Sequence, residues 1–194
     1  DYRLDISRRR YPKRNIKTED AIVALVDRGF SFSDLRRSVW DAVLDSGGMS
    51  SLSRFQLDAL ELILRASGDS GTIITAGTGS GKTLSFYLPA LLVAAERLRQ
   101  GEPFTKVLSI YPRNELLKDQ LTEVYKLARS ASPALKGGGK PHFSLGALFG
   151  QVPHFPGKEA VEDYTGWTWK MGGYLCPFLR CPDCGAETIW KKED

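Results

Sequence analysis

Thr72-Ile73-Ile74-Thr75-Ala76-Gly77-Thr78-Gly79-Ser80-Gly81-Lys82-Thr83-Leu84 is the stretch that decides the fold. The apolar run at residues 72–75 reads as a strand, the glycines as a tight turn, and the apolar spacing from Leu84 onward as a helix. Together they make a phosphate cradle. Glycines let successive backbone N–H groups face an anion with no Cβ in the way, and the helix presents its positive dipole end to the same point. The candidate ATP-binding residues of the loop are therefore Ala76, Gly77, Thr78, Gly79, Ser80, Gly81, Lys82 and Thr83. In such a loop the lysine reaches the β- and γ-phosphates and the hydroxyl after it holds Mg²⁺. A chance glycine turn before a helix is the alternative, disfavoured by the spacing and by both flanks.

The generic loop is G-x-x-x-x-G-K-[ST], and here Ala76 stands at the first glycine. The string A-x-T-G-S-G-K-T resembles motif I of superfamily 2 (DExD/H-box) helicases. Residues 82–99 carry Leu84, Leu88, Leu91, Leu92, Ala95 and Leu98 at helical spacing, and Lys106-Val107-Leu108-Ser109-Ile110 reads as the next strand. Such a βαβ unit builds a parallel sheet with ligands at the C-terminal ends of its strands. A third strand is predicted at residues 143–149, after the connector Gly137-Gly138-Gly139-Lys140-Pro141. The expected fold is α/β: part of a RecA-like P-loop parallel sheet, with an N-terminal helical segment and a small Cys-rich zinc-binding insertion.

Upstream, Ser53-Arg54-Phe55-Gln56 has the S-x-x-Q spacing of a capping box and opens a helix bearing Leu57, Leu60, Ile63 and Leu64. Gln56 thus has a structural role open to it. It also resembles the glutamine that reads the adenine edge in many superfamily 2 enzymes, which makes it a candidate ATP contact. Phe55 either stacks near the base or anchors its helix.

Directly after the second predicted strand, Tyr111-Pro112-Arg113-Asn114-Glu115-Leu116-Leu117-Lys118-Asp119-Gln120 leads into another helix. It resembles motif Ia of superfamily 2, in the Y-P-T-x-x-L-x-x-D-Q form of MrfA/YprA-related helicases, with Arg113 where threonine is usual. A loop that opens a helix N-terminus is well placed to take a nucleic-acid phosphate, and arginine can supply a charge-assisted bond there. The resemblance makes Pro112, Arg113, Asn114 and Gln120 candidate nucleic-acid contacts; an ordinary βα loop is the alternative. Gly150-Gln151-Val152-Pro153 is loosely similar to a G-D-T-P turn of the same helicases, which adds Gly150 as a possible backbone contact.

All three cysteines fall in Cys176-Pro177-Phe178-Leu179-Arg180-Cys181-Pro182-Asp183-Cys184-Gly185. C-P-x-C-G turns aim two thiolates at one metal, so Cys176, Cys181 and Cys184 are candidate Zn²⁺ ligands. Reduced structural thiols and a redox pair are the alternatives. The chain's two histidines, His142 and His154, are weaker candidates for a fourth ligand than a cysteine beyond Asp194. Around this cluster lie Phe155, Tyr164, Trp167, Trp169, Tyr174, Phe178 and Trp190, which either stack on bases or build the core of a small module. Trp167 and Trp169 share one face if extended and are the pair to test for DNA contact.

The 194 residues are 42% apolar and 26% charged with a formal charge of +4, a composition suited to a globular chain and mildly to a polyanionic partner. No apolar run spans a membrane and no signal peptide is evident, so a cytoplasmic location without membrane contact is expected. Arg3, Arg8, Arg9, Arg10, Lys13, Arg14 and Lys17 form a basic segment, either an arm along phosphates or a solvated connector. Helical spacing at residues 18–28 and 33–44 predicts a small helical preface. The predicted organisation is 1–50 as basic arm and preface, 51–150 as the first half of a RecA-like ATP-binding domain, and 151–194 as the aromatic and zinc-bearing insertion.

The combination resembles large bacterial helicases of phage-defence and DNA-modification islands, the DruE-like, DpdJ-like and MrfA/YprA-related groups. That resemblance implies ATP-driven translocation on DNA, with other defence-system proteins as possible partners. Motif II and a second RecA domain, which complete the Mg²⁺ site and supply arginine fingers, are expected beyond Asp194, and the isolated residues are predicted not to turn over ATP. Two alternatives stand beside it: a catalytically silent nucleic-acid or partner-binding module, and an RNA helicase.

Overall fold

A computed structural model describes residues 11–66, 68–77, 79–135, 142–150, 152, 164 and 166–191. Thr78, Arg3, Arg8, Arg9, Arg10, the glycine connector, Gln151, Pro153, His154 and Phe155 lie outside the described residues. The chain divides into two units, residues 1–96 and 97–194.

In the first unit, strand β1 (Arg14–Lys17) is followed by helices α1 (Thr18–Asp27) and α2 (Asp34–Ser46), strand β2 (Ser51–Ser53), helix α3 (Arg54–Arg65) and the start of α4 (Lys82–Arg99). The predicted apolar stripes are the buried ones: Ala21, Ile22 and Leu25 on α1, Leu35, Val39, Trp40, Val43 and Leu44 on α2, Leu57 and Leu60 on α3. Helix ends follow local chemistry. The Ser33 hydroxyl accepts from the Arg36 amide at 3.2 Å as the α2 cap and donates to Glu96 Oε1 on α4 at 3.2 Å, while the Arg36 guanidinium donates to Glu96 Oε2 at 2.6 Å. α1 is tied to α3 by the Arg28–Glu61 ion pair, with Arg65 donating to the other Glu61 oxygen at 3.1 Å and to the Arg28 carbonyl at 2.7 Å.

β1 and β2 form an antiparallel ribbon with Arg14 opposite Ser53 and a register shift between Arg14 and Ile16. This pairing joins residues 34 to 39 positions apart in sequence and sets the N-terminal segment beside the start of α3. Helix α4 carries Pro89 inside it, fully buried, so the Ser85 carbonyl loses its amide partner one turn back.

The second unit holds α5 (Asn114–Ala131), a 3-10 turn (Ser132–Leu135) and an antiparallel meander of β3 (Thr168–Lys170), β4 (Gly173–Arg180) and β5 (Glu187–Trp190), in that order. Met171 and Gly172, with φ of 52° and 79°, make the two-residue hairpin turn between β3 and β4. Alternation along β4 turns Tyr174, Cys176 and Phe178 inward, where they pack with Trp167 and with Leu121 from α5. Trp167 meets Phe178 and Trp190 edge-to-face at ring separations of 5.7 and 5.2 Å. The β4–β5 register shifts between Leu175 and Arg180, the interval that contains Pro177, which cannot donate to a ladder.

The parallel sheet expected from residues 72–75, 106–110 and 143–149 is not formed among the described residues. Those segments carry no strand pairing, and the two sheets present are both antiparallel. The reason is visible in exposure: Ile73, Leu108, Ile110 and Leu148 are 80 to 90% exposed, so no neighbouring strand or helix covers them. Among the described residues, no helix is long and apolar enough to cross a membrane.

Candidate functional site

Gly79, Ser80 and Gly81 lead directly into α4, which begins at Lys82. Gly79 and Gly81 have φ of 78° and 85°, a region that side-chain-bearing residues rarely adopt, and this lets the loop fold back on itself. The Ser80 amide donates to the Gly77 carbonyl at 3.4 Å. Lys82 Nζ lies across the loop, donating to the Ala76 carbonyl and, at 3.1 Å, to the Gly77 carbonyl. A lysine held this way satisfies its ammonium with neutral oxygens, a weaker partner than phosphate. Ser80 is 5% exposed, and its hydroxyl has no hydrogen-bond partner among the described residues. An orphaned buried hydroxyl in a glycine loop, beside a lysine at a helix N-terminus, is a donor set that fits a phosphate group. Thr83, one residue into the helix, is partly buried.

Gln56 is joined to this loop. It is 2% exposed, and its amide Oε1 accepts from the Ser53 amide at 2.9 Å and from the Ser53 hydroxyl at 3.2 Å, completing the capping box. Its Nε2 donates to the Gly81 carbonyl at 3.3 Å. The side chain that the sequence marks as cap or adenine reader thus acts as a strut between the start of α3 and the glycine loop. Ser85 adds a second bond to the same carbonyl at 3.3 Å.

Two residues that motif reading missed also reach the loop. A Cβ built on Gly79 would lie 3.0 Å from the Tyr11 ring, and one built on Gly81 would lie 3.2 Å from the Arg14 guanidinium. Arg14 is visible in the sequence only as one member of a basic run. Its proximity to the loop depends on the β1–β2 pairing, which no local pattern announces.

In the second unit, α5 starts at Asn114 with Arg113 as an extended N-cap residue at φ −139°, whose side chain makes no capping bond. Pro112, Arg113 and Asn114 are all exposed. Gln120 lies nearly two turns in, with its Oε1 buried and without a partner among the described residues. Gly150 sits at an exposed turn that the Val152 amide closes on the Phe149 carbonyl at 2.9 Å.

The three cysteines differ in burial: Cys176 is buried, Cys181 partly buried and Cys184 exposed. Cys176 lies inside the aromatic cluster, where burial raises its thiol pKa above the ordinary value. Cys181 and Cys184 lie in the β4–β5 turn, closed by Gly185 donating to the Cys181 carbonyl and Cys181 donating to the Ala186 carbonyl, both at 2.9 Å. Hydrogen bonds from the Cys184 backbone, then the Asp183 backbone and the Cys184 thiol, lower the Cys181 pKa. Among the described residues no group of three or more Cys, His, Asp or Glu side chains can hold a metal. The expected three-cysteine convergence is not formed among the described residues: the alternation of β4 sets Cys176 on the same face as Tyr174 and Phe178. The expected Trp167 and Trp169 pair also divides. Trp167 is 6% exposed in the core, whereas Trp169 is 60% exposed against Tyr174.

A family model of the DEAD/DEAH box helicases matches residues 53–151, slightly more than half of the chain. The chain belongs to the DEAD/DEAH box helicase family. The matched region of this helicase-family chain opens at the capping serine of α3 and takes in the glycine loop and the whole of α5. The chain is also 33% identical over 114 residues to the Druantia protein DruE of Escherichia coli (strain UMEA 4076-1). That alignment covers 55% of this chain but only 6% of the relative. No solved structure is significantly similar.

Proposed function

We propose that the chain forms the nucleotide-binding part of an ATP-dependent DNA helicase or translocase, with residues 51–150 as the first half of a RecA-like domain. The observation that carries this reading is the glycine loop: Lys82 at the first turn of α4, an orphaned Ser80 hydroxyl, and Gln56 bracing Gly81 from the helix where the family match begins. Bound Mg·ATP would supply the free energy of phosphoryl transfer for strand movement. This chain's own residues do the binding. Lys82 would give up the Ala76 and Gly77 carbonyls for phosphate oxygens, a stronger charge-assisted partnership. With Mg·ATP bound, the backbone N–H groups of residues 77 and 79–83 and the dipole of α4 would stabilise the remaining charge, and the Thr83 hydroxyl would hold the Mg²⁺.

Pro112, Arg113 and Asn114 are the proposed seat of a DNA phosphate, since an exposed N-terminal turn with an uncommitted arginine at its cap suits an anion. Gln120 and Gly150 belong to the same proposal. The exposed apolar segments at residues 72–75, 106–110 and 143–149 suit the strands of a parallel sheet. The relation to the Druantia protein DruE supports a place in a bacterial defence system. Zinc is proposed at the Cys181 and Cys184 pair of the β4–β5 turn, whereas Cys176 packs in the aromatic cluster. One zinc per chain that is lost in Cys181→Ser and kept in Cys176→Ser supports that site, and absence of zinc under reducing conditions overturns it.

The test of the function is ATP hydrolysis by the full-length protein with single-stranded DNA, duplex DNA or RNA added. Stimulation by DNA that disappears in Lys82→Ala is the expected result. Stimulation by RNA alone would replace the substrate assignment. A Lys82→Ala protein that keeps every activity of the full-length protein would show a silent module instead.

A further inference from the structure

The N-terminal segment approaches the glycine loop at two points. The Tyr11 ring lies over Gly79, and the Arg14 guanidinium lies beside Gly81, 3.2 Å from where a Cβ would be. The backbone explains why. Arg14 pairs directly with Ser53, Ser53 is bonded to Gln56, and Gln56 donates to the Gly81 carbonyl, so one chain of contacts fixes Arg14 at the loop.

The charge environment of Arg14 is unlike that of its neighbours. Every other described arginine of the first unit faces a carboxylate: Arg28 and Arg65 share Glu61, Arg36 meets Glu96, Arg37 meets Glu19 and Arg54 meets Asp58. Arg14 has no ion-pair partner among the described residues and is exposed. An unpaired guanidinium beside a glycine loop, with a buried unpartnered hydroxyl at Ser80 in the same loop, matches the needs of a phosphate with several oxygens to neutralise.

We infer that Arg14 is a phosphate-binding residue of the nucleotide site, its guanidinium pairing with a phosphate oxygen of the bound nucleoside triphosphate, and that Tyr11 packs over Gly79 to hold the segment in place. The inference rests on the reading of residues 76–83 as a nucleotide site. Its consequence is that the positive charge at the site comes from two places, Lys82 inside the loop and Arg14 from the β1 ribbon. The planar fork of arginine can take two phosphate oxygens, whereas lysine at the same position would offer one point charge.

The experiment is calorimetric titration of the full-length protein with Mg·ATP and with adenosine, for wild type, Arg14→Ala, Arg14→Lys and Lys82→Ala. Hydrogen bonds to charged groups contribute about 1.5–3 kcal/mol, so Arg14→Ala is expected to weaken Mg·ATP binding by roughly ten- to a hundredfold. Adenosine binding should stay within about twofold, and Arg14→Lys should recover part of the loss. Unchanged Mg·ATP affinity in Arg14→Ala, with Lys82→Ala defective, overturns the role of Arg14 and leaves the nucleotide site standing. Equal losses for Mg·ATP and adenosine in Arg14→Ala also overturn it, because that pattern belongs to a residue that only shapes the fold. Absence of Mg·ATP binding by wild type overturns both readings together.

Discussion

Gln56→Ala tests how the glycine loop is supported. The substitution removes the acceptor for the Ser53 amide at 2.9 Å and the Ser53 hydroxyl at 3.2 Å, and the donor to the Gly81 carbonyl at 3.3 Å. Ser53 and Gln56 are 1% and 2% exposed, so water cannot replace these partners. Loss of the capping partner costs about 1 kcal/mol, and the Ser53 amide left buried and unpaired about 1–3 kcal/mol more. A destabilisation of roughly 2–4 kcal/mol should follow, read as a lower urea midpoint at unchanged slope. Gln56→Glu separates the two roles: its carboxylate still accepts from Ser53, but it has no proton for Gly81 and sets negative charge against that carbonyl. Glutamate should retain more of the α3 stability than alanine does while weakening nucleotide binding. As a strut, Gln56 influences ATP and GTP alike, so their affinities should fall by the same factor in Gln56→Ala. Stability within about 0.5 kcal/mol of wild type, with ATP affinity lost and GTP affinity kept, would refute the strut and leave an adenine reader.

Other expectations follow from the packing and charge of each unit. A Cβ at Gly173 would lie 2.6 Å from both Ile189 Cγ2 and the Trp190 carbonyl, so Gly173→Ala should lose about 1–3 kcal/mol by thermal denaturation; an unchanged transition would contradict the tight β4–β5 contact. With metal stripped by a chelator, Cys181 and Cys184 should react with maleimide in the folded protein while Cys176 reacts only on unfolding, and mass spectrometry after a short pulse reads the difference. At Glu61 burial alone would raise the pKa, but hydrogen bonds from Arg28 and Arg65 outweigh it and leave it below 4.5. Stability from this group is present above pH 4.5 and lost as pH falls through the lower folded value, a loss that Glu61→Gln should remove from the acid limb of a stability profile.

Local patterns and non-local pairings were not equally legible in the sequence. Helices α1 to α5 follow from apolar spacing, and the capping box follows from Ser53 and Gln56 alone, because both signals lie within a few residues. The glycine loop and its Lys82 were legible for the same reason. Residues 72–75 and 106–110 have strand composition, but a strand exists only through a partner, and none covers Ile73 or Leu108 among the described residues. Cysteine spacing suggested one metal site, whereas the alternation of Tyr174, Cys176 and Phe178 sends Cys176 into an aromatic core. That alternation was in the sequence and outweighs spacing, since β4 presents only one of its faces to the cluster. Arg14 was hidden because its position depends on pairing with Ser53, 39 residues away.

The most direct test of the central claim is a titration of the protein with Mg·ATP, in wild type and in Lys82→Ala. The account predicts saturable binding by wild type that falls at least a hundredfold, by about 2.7 kcal/mol or more, when the lysine is removed. Equal affinity in both proteins, or no binding by wild type, would contradict the assignment of residues 76–83 as a nucleotide site.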